Sequence, residues 1–163
     1  MVDTNWLYGP IYGIRTLIAN SAAFRTAISA ASVAIAKQSI YTWQAYDGDY
    51  DASNDAQAVP RVVLRYEDVG TNKRSTTGWG GAYIVQAEFE FVPTSTDDEV
   101  AAEAFLSTLQ TIINEVLALE GTDGHTVIED IEGASSVEIS DPDDENEGQR
   151  IAWYGIKFMS GVR

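Results

Sequence analysis

The chain has 163 residues, with 25 Asp and Glu against 10 Lys and Arg, a formal charge of −15, a single histidine (His125) and no cysteine. A polyanion of this kind does not grip DNA or RNA, whose affinity for proteins comes mainly from basic groups that release counterions from phosphates, and it is repelled by anionic lipid. Without cysteine there are no disulfides, thiolate metal sites or sulfur nucleophile. Apolar residues at 45% and charged residues at 21% are ordinary globular values. The length suits one domain, 1–163, that buries roughly 70% of the surface its unfolded chain would expose. No apolar run approaches the ~20 residues of a membrane span, and the first residues lack the basic start and apolar core of a secretory signal. The expectation is a soluble intracellular domain without a membrane partner. Adaptation to a saline environment, or plain solubility, would also account for the acidity.

Residues 1–10 read as an arm that contains Trp6 and Tyr8, broken by Gly9 and Pro10. From 11 to 28, Ile11, Ile14, Leu17, Ile18, Phe24 and Ile28 fall at helical spacing, with Asn20 and Ser21 as a break and a fresh N-cap. Residues 30–37 are alanine-rich and predicted helical, and 39–46, with Trp43 and Tyr46, read as a strand. An acidic, turn-rich loop spans about 47–59. Residues 61–66 form a short predicted strand, and 69–81, with four glycines and the adjacent basic pair Lys73 and Arg74, read as a hairpin loop.

Tyr83, Val85, Ala87, Phe89 and Phe91 alternate with Gln86, Glu88 and Glu90, giving a strand with one apolar and one wet face. Thr96 and Glu99 are spaced as a capping box, Asp97 and Asp98 suit a first turn, and an amphipathic helix is expected over about 97–120, stopped by Gly121. Two short strands follow at 126–132 and 136–140, then a second acidic loop at about 141–148. The final strand, 149–159, is apolar at both parities, as expected of a central strand covered on both sides. The fold class is therefore α+β: an antiparallel sheet of about four to six strands with N-terminal helices and one long amphipathic helix packed on one face.

The chemistry-bearing inventory is thin. Residues 141–147 carry five carboxylates, but the sixth-position Gly and twelfth-position Glu of an EF-hand are missing, and the cluster of Asp47, Asp49, Asp51 and Asp55 is no closer to a calcium loop. His125 sits in a turn with no sequence-adjacent nucleophile or orienting acid, and no Gly-x-Ser-x-Gly elbow exists. The glycines at 78, 80 and 81 lack the Gly-Lys-Ser/Thr ending of a P-loop. A glycosidase-like carboxylate pair is conceivable, but the sequence selects none. No catalytic, cofactor or metal residue is assigned. Trp6, Tyr8, Trp43, Tyr46, Tyr50 and Trp79 cluster around predicted loops and edges, where aromatics serve subunit interfaces.

Several segments together carry a resemblance: IRTLIANS at 14–21, AFRTA at 23–27, PRVVL at 60–64, YIVQAEFEF at 83–91 before one long helix, and WYGIKF at 153–158. In this order the chain resembles the tail terminator and head-to-tail connector (neck) proteins of tailed phages. The resemblance covers nearly the whole chain. It implies a non-enzymatic virion protein made in the host cytoplasm: a homohexameric ring that caps the tail tube, contacts tail-tube and connector proteins, and leaves a passage through which DNA moves without specific binding. Asp143, Asp144, Glu145 and Glu147 would then line the channel, where carboxylates repel phosphate. The alternatives are a monomeric acidic ligand- or peptide-binding domain from a halophilic source, and a hydrolase using two carboxylates.

Overall fold

The computed structural model describes residues 9–42, 59–75, 78–122, 126–141 and 149–162. The N-terminal arm before Gly9, most of the 47–59 loop, and the 142–148 loop lie outside the described residues. No described helix is long and apolar enough to cross a membrane.

Helix α1 (Gly9–Asn20) opens on Gly9 and Pro10, whose missing N–H costs nothing in a first turn. Its buried stripe is Ile11, Ile14, Leu17 and Ile18. Ser21 then breaks the helix and caps α2 (Ala22–Ala27), its hydroxyl accepting from the Phe24 N–H at 3.0 Å. The alanine-rich stretch becomes helical only at α3 (Val33–Gln38), because Ser32 accepts from the Ile35 N–H and sets the start there.

A six-stranded sheet follows: β1 (Ile40–Thr42), β2 (Arg61–Ser75), β3 (Gly78–Phe91), β4 (Thr126–Gly133), β5 (Glu138–Ser140) and β6 (Ile151–Val162). Its order is β1-β2-β3-β6-β4, with β5 also on β6. The sheet is mixed rather than wholly antiparallel, since β1 runs parallel to β2. The cause is local: α3 ends at Ser39, whose carbonyl accepts from the Val62 N–H at 2.9 Å, so the chain enters the sheet beside the start of β2.

The glycine-rich hairpin loop expected at 69–81 is a correction. The β2–β3 ladder continues through Val69 opposite Tyr83, Thr71 opposite Gly81 and Ser75 opposite Gly78, with register shifts after Tyr66 and after Asn72. Glycine signals a turn from sequence, but it is also tolerated where a strand kinks or bulges. The two short strands β4 and β5 both lie along the same side of β6, as pieces of one interrupted strand. Between them the Ala134 N–H donates to the Gly155 carbonyl at 2.9 Å and the Tyr154 hydroxyl donates to the Ala134 carbonyl at 2.7 Å.

Helix α4 (Asp98–Ala118) is capped by Asp97, which accepts from the Val100 N–H at 3.0 Å. The cap therefore falls one residue after the expected Thr96, and the position that would complete a box holds Val100. Ala101, Phe105, Leu109, Ile112 and Val116 form its buried stripe. Gly121, at φ +76°, occupies the left-handed backbone that ends the helix.

The four described helices cover one sheet face. Val62, Leu64, Val85, Ala87, Phe89, Phe91, Ala152, Ile156 and Phe158 meet α1 and α4 residues in one core, with Phe91 tilted against Phe105 at 5.4 Å between ring centres. At the opposite end of the strands, the Tyr66 hydroxyl accepts from the Ile11 N–H at 3.2 Å, and burial pushes its pKa up to about 12.

Glu115 joins the helices. Its carboxylate accepts from the Ser21 hydroxyl at 2.7 Å and the Ala23 N–H at 2.9 Å, so the side chain of α4 caps α2 from outside. The Ala23 N–H and then the Ser21 hydroxyl hold this carboxyl below the usual range. A depressed acid pKa contributes stability that is present above the unfolded value, ~4.3, and lost as pH falls through the folded one. Glu115→Ala is therefore expected to cost about 1 kcal/mol at pH ~7. The gap to the native chain should narrow as pH falls below the unfolded value and through the lower folded one; urea unfolding across a descending pH series measures it.

Candidate functional site

Alternation along the strands sends the residues between the core positions to the other face. No helix packs on that face among the described residues. Reading across the sheet, one row runs Arg61, Glu90, Trp153, Glu138; the next runs Tyr41, Val63, Glu88, Gly155; a third runs Arg65, Gln86, Lys157, Glu132. The expectation that β6 is covered on both sides differs from what the described residues show, which is cover on one side. Ala152, Ile156 and Phe158 enter the core, while Trp153, Lys157 and Met159 are only half-buried on the open side.

Three cations on this face are each paired. Arg61 donates to Glu90 at 2.5 Å, Arg65 pairs with Glu88, and Lys157 donates to Glu67 at 2.8 Å. Glu132 and Glu138, at the ends of two of the rows, are exposed, so the face as a whole stays acidic. The first pair is well shielded, with side-chain exposures of 8% and 15%. Shielding has a measurable electrostatic consequence. Burial pushes the Glu88 carboxyl up, opposed by the Arg65 guanidinium, while the neighbouring Glu90 charge pushes it further up. Burial also raises the Tyr41 hydroxyl, which the Arg61 charge pulls back. Lys157 is held above the usual lysine range, chiefly by its hydrogen bond to Glu67.

Trp153 and Gly155 form the second device. A Cβ added at Gly155 would lie 3.2 and 3.3 Å from the Trp153 ring and 3.6 Å from the Gln86 amide. The indole therefore lies over the bare glycine backbone, and it donates to Glu88. Gln86 donates to the same carboxylate at 3.2 Å. Glu88 is thus held by three side chains from β2, β3 and β6.

Glu88 and Glu90, two residues apart on one face, are the carboxylate pair the sequence could not select. Each is bonded to an arginine, and burial outweighs the Arg65 charge in raising the Glu88 carboxyl. The signal was present as period 2: Arg61, Arg65 and Glu67 on one strand against Gln86, Glu88 and Glu90 on the next. It went unread because the pairing register is needed to match them.

Of the residues singled out from sequence, Trp6, Tyr8, Trp43, Tyr46, Tyr50, His125, Asp143, Asp144, Glu145 and Glu147 lie outside the described residues, and Trp79 is in β3 with its side chain outside them. The root of the second acidic loop is described. Arg150, just before β6, donates to the Ser95 carbonyl at 3.0 Å and pairs with Asp98 at the start of α4. Among the described residues no group of three or more His, Asp or Glu side chains is placed to hold a metal. An apolar cleft of about 330 Å³ opens at the same end of the sheet, between Ile28, Pro60, Phe91, Ala101 and Phe105. The chain matches no protein-family model and no curated protein.

Because the Trp153 ring occupies the space above residue 155, Gly155→Val is expected to displace it and cost about 1–3 kcal/mol. Gly155→Ala, whose single methyl meets the ring at the edge of contact, should cost less. Denaturant midpoints of the two variants check the order; equal stability of Gly155→Val and the native chain would contradict the stacking.

Proposed function

We propose that the chain is a structural, non-enzymatic virion protein of a tailed phage, a tail terminator or neck subunit that works as a ring. The supporting observation is the sheet face opposite the described helices, where Arg61, Arg65 and Lys157 are each already paired with a carboxylate. Two copies of so acidic a chain repel over most of their surface. Cations already paired within the subunit can be covered by a neighbour without leaving an unpaired charge buried. The α+β order of elements agrees with the resemblance carried by residues 14–27, 60–64, 83–91 and 153–158.

In such a ring the remaining acidity has a task. Carboxylates on the channel wall repel phosphate, so DNA passes without adhering. The reading places Asp143, Asp144, Glu145 and Glu147 on that wall or its rim. A second reading, a monomeric ligand- or peptide-binding domain, is favoured by the apolar cleft beside Phe91 and Phe105, whose volume is at the small end for a ligand site.

Light scattering and negative-stain electron microscopy of the purified protein, at low and high salt, separate the two. Ring-shaped oligomers, or association with tail-tube protein, are expected; a monomer under every condition that binds a small molecule in the cleft would overturn the first reading. For the channel, replacing Asp143, Asp144, Glu145 and Glu147 together by Asn or Gln is expected to increase retention of duplex DNA by the assembled ring in a low-salt filter assay. Unchanged retention would remove these residues from the channel wall.

A further inference from the structure

Resting on the ring reading, we infer that neighbouring copies associate head-to-tail through opposite edges of the sheet. The α3–β1 edge of one copy seats its exposed Ile35 in the groove between α4 and β4 of the next.

Charge is segregated along the chain. No Asp or Glu lies between Asp3 and Asp47, a stretch that holds Arg15, Arg25 and Lys37; no Lys or Arg lies between Arg74 and Arg150. Folding carries this segregation to opposite sides of the molecule, because β1 stands at one end of the strand order and β4 at the other. Helix α3 packs on α1, α2 and β1, whereas α4 packs on α1, α2, β5 and β6.

At the first edge, Arg25 lies within electrostatic reach of Glu115 in its own subunit. Arg15 and Lys37 are ion-paired with no carboxylate among the described residues. The Arg15 guanidinium lies 5.9 Å from the centre of the Tyr12 ring and donates to the Lys37 carbonyl at 2.6 Å. Its buried Nε–H has no acceptor among the described residues. The acidic stretch that begins at Asp47 lies outside them.

At the second edge the unpaired charges are acids. Asp98 is held by Arg150, and Lys157 is taken by Glu67. Glu99 and Glu103 on α4, Glu129, Asp130 and Glu132 on β4, and Glu138 on β5 are exposed and in no ion pair among the described residues. The apolar surface matches as well. Ile35 is 46% exposed on α3. A groove of about 200 Å³ opens between α4 and β4, lined by Leu106, Leu109, Ile113, Ile131 and Tyr154. An apolar side chain beside cations thus meets an apolar groove rimmed by carboxylates, the arrangement of an interface centre and its rim. Side chains carry the contact, since Glu120 and Asp130 already take the Ile128 and Ile131 N–H groups of β4.

Like-on-like contacts are less favourable. Two α4–β4 edges would set carboxylates against carboxylates, and two α3–β1 edges would set Arg15 and Lys37 against themselves; like charges across an interface are costly. A contact between different surfaces of identical copies is heterologous, and when its rotation closes it makes a ring.

The cysteine-free chain gives a clean background for the test. The double variant Ile35→Cys/Gln110→Cys, with Gln110 on the groove wall, is treated with a flexible bis-maleimide at a concentration where light scattering reports the oligomer. Expected is a ladder of covalent species up to the ring size. An equimolar mixture of the two single variants should stop at dimer, and either single variant alone should give none. Oligomers with no ladder from the double variant would overturn the contact while leaving the ring reading intact. Covalent dimer from one single variant alone would show like edges meeting and also overturn it. Lys37→Glu is expected to weaken association severalfold at low salt and less at high salt; association equal to the native chain at low salt would overturn the charge match that pairs these edges. Monomers of the native chain under every condition would remove the ring reading itself, and this contact with it.

Discussion

The structure depends on the placement of β3 between β2 and β6. Its alternating residues serve two environments at once, and the cross-strand register decides what each of them meets. Val85, Ala87, Phe89 and Phe91 are fully or almost fully buried beneath α1 and α4. Removing any of them leaves a cavity in a close-packed interior. On the reverse side Glu88 and Glu90 are presented to Arg65 and Arg61. A slip of one residue would bring those carboxylates into the core and the phenylalanines out of it, so the register is held from both sides.

The two faces have different physical characters for that reason. The helix side is held by area removed from water, with aromatic contacts from Phe24 through Phe91 to Phe105. The open side is held by charge-assisted hydrogen bonds and by one tryptophan laid over a glycine. Half-exposed ion pairs contribute modestly to stability, since water competes for them. Their larger effect is local, pairing Arg61, Arg65 and Lys157 on a surface that also carries the exposed Glu132 and Glu138. The other edge is treated differently. On β4 the outward Ile128 N–H is taken by Glu120 and the Ile131 N–H by Asp130, with a register shift between them. An edge whose donors are occupied by its own carboxylates does not recruit another strand.

How much was legible from sequence varies with the range of the interaction. Helices α1, α2 and α4 and the strand β3 were readable because their signals are local: a 3.6-residue apolar stripe, a serine cap, a period of two. The α4 cap moved by one residue because two candidate acceptors, Thr96 and Asp97, stand side by side and only the backbone geometry chooses. The long hairpin reads as a loop from sequence because glycine content is a local signal, whereas strand pairing is not local. The carboxylates Glu88 and Glu90 were visible as a wet face, but their arginine partners lie some 23 and 29 residues away in the chain.

By itself the sequence determined the acidity, the α+β class, the positions of the principal helices, and the two-faced character of β3, since composition and short-range periodicity carry them. Tertiary structure decided the parallel entry of β1, the alignment of β4 and β5 along one side of β6, the pairing of Arg61, Arg65 and Lys157 with carboxylates, and which sheet face the described helices cover. The physical reason is the same in each case. Periodicity tells a side chain which way to point, whereas the identity of what it meets is set by register and layer packing between distant segments.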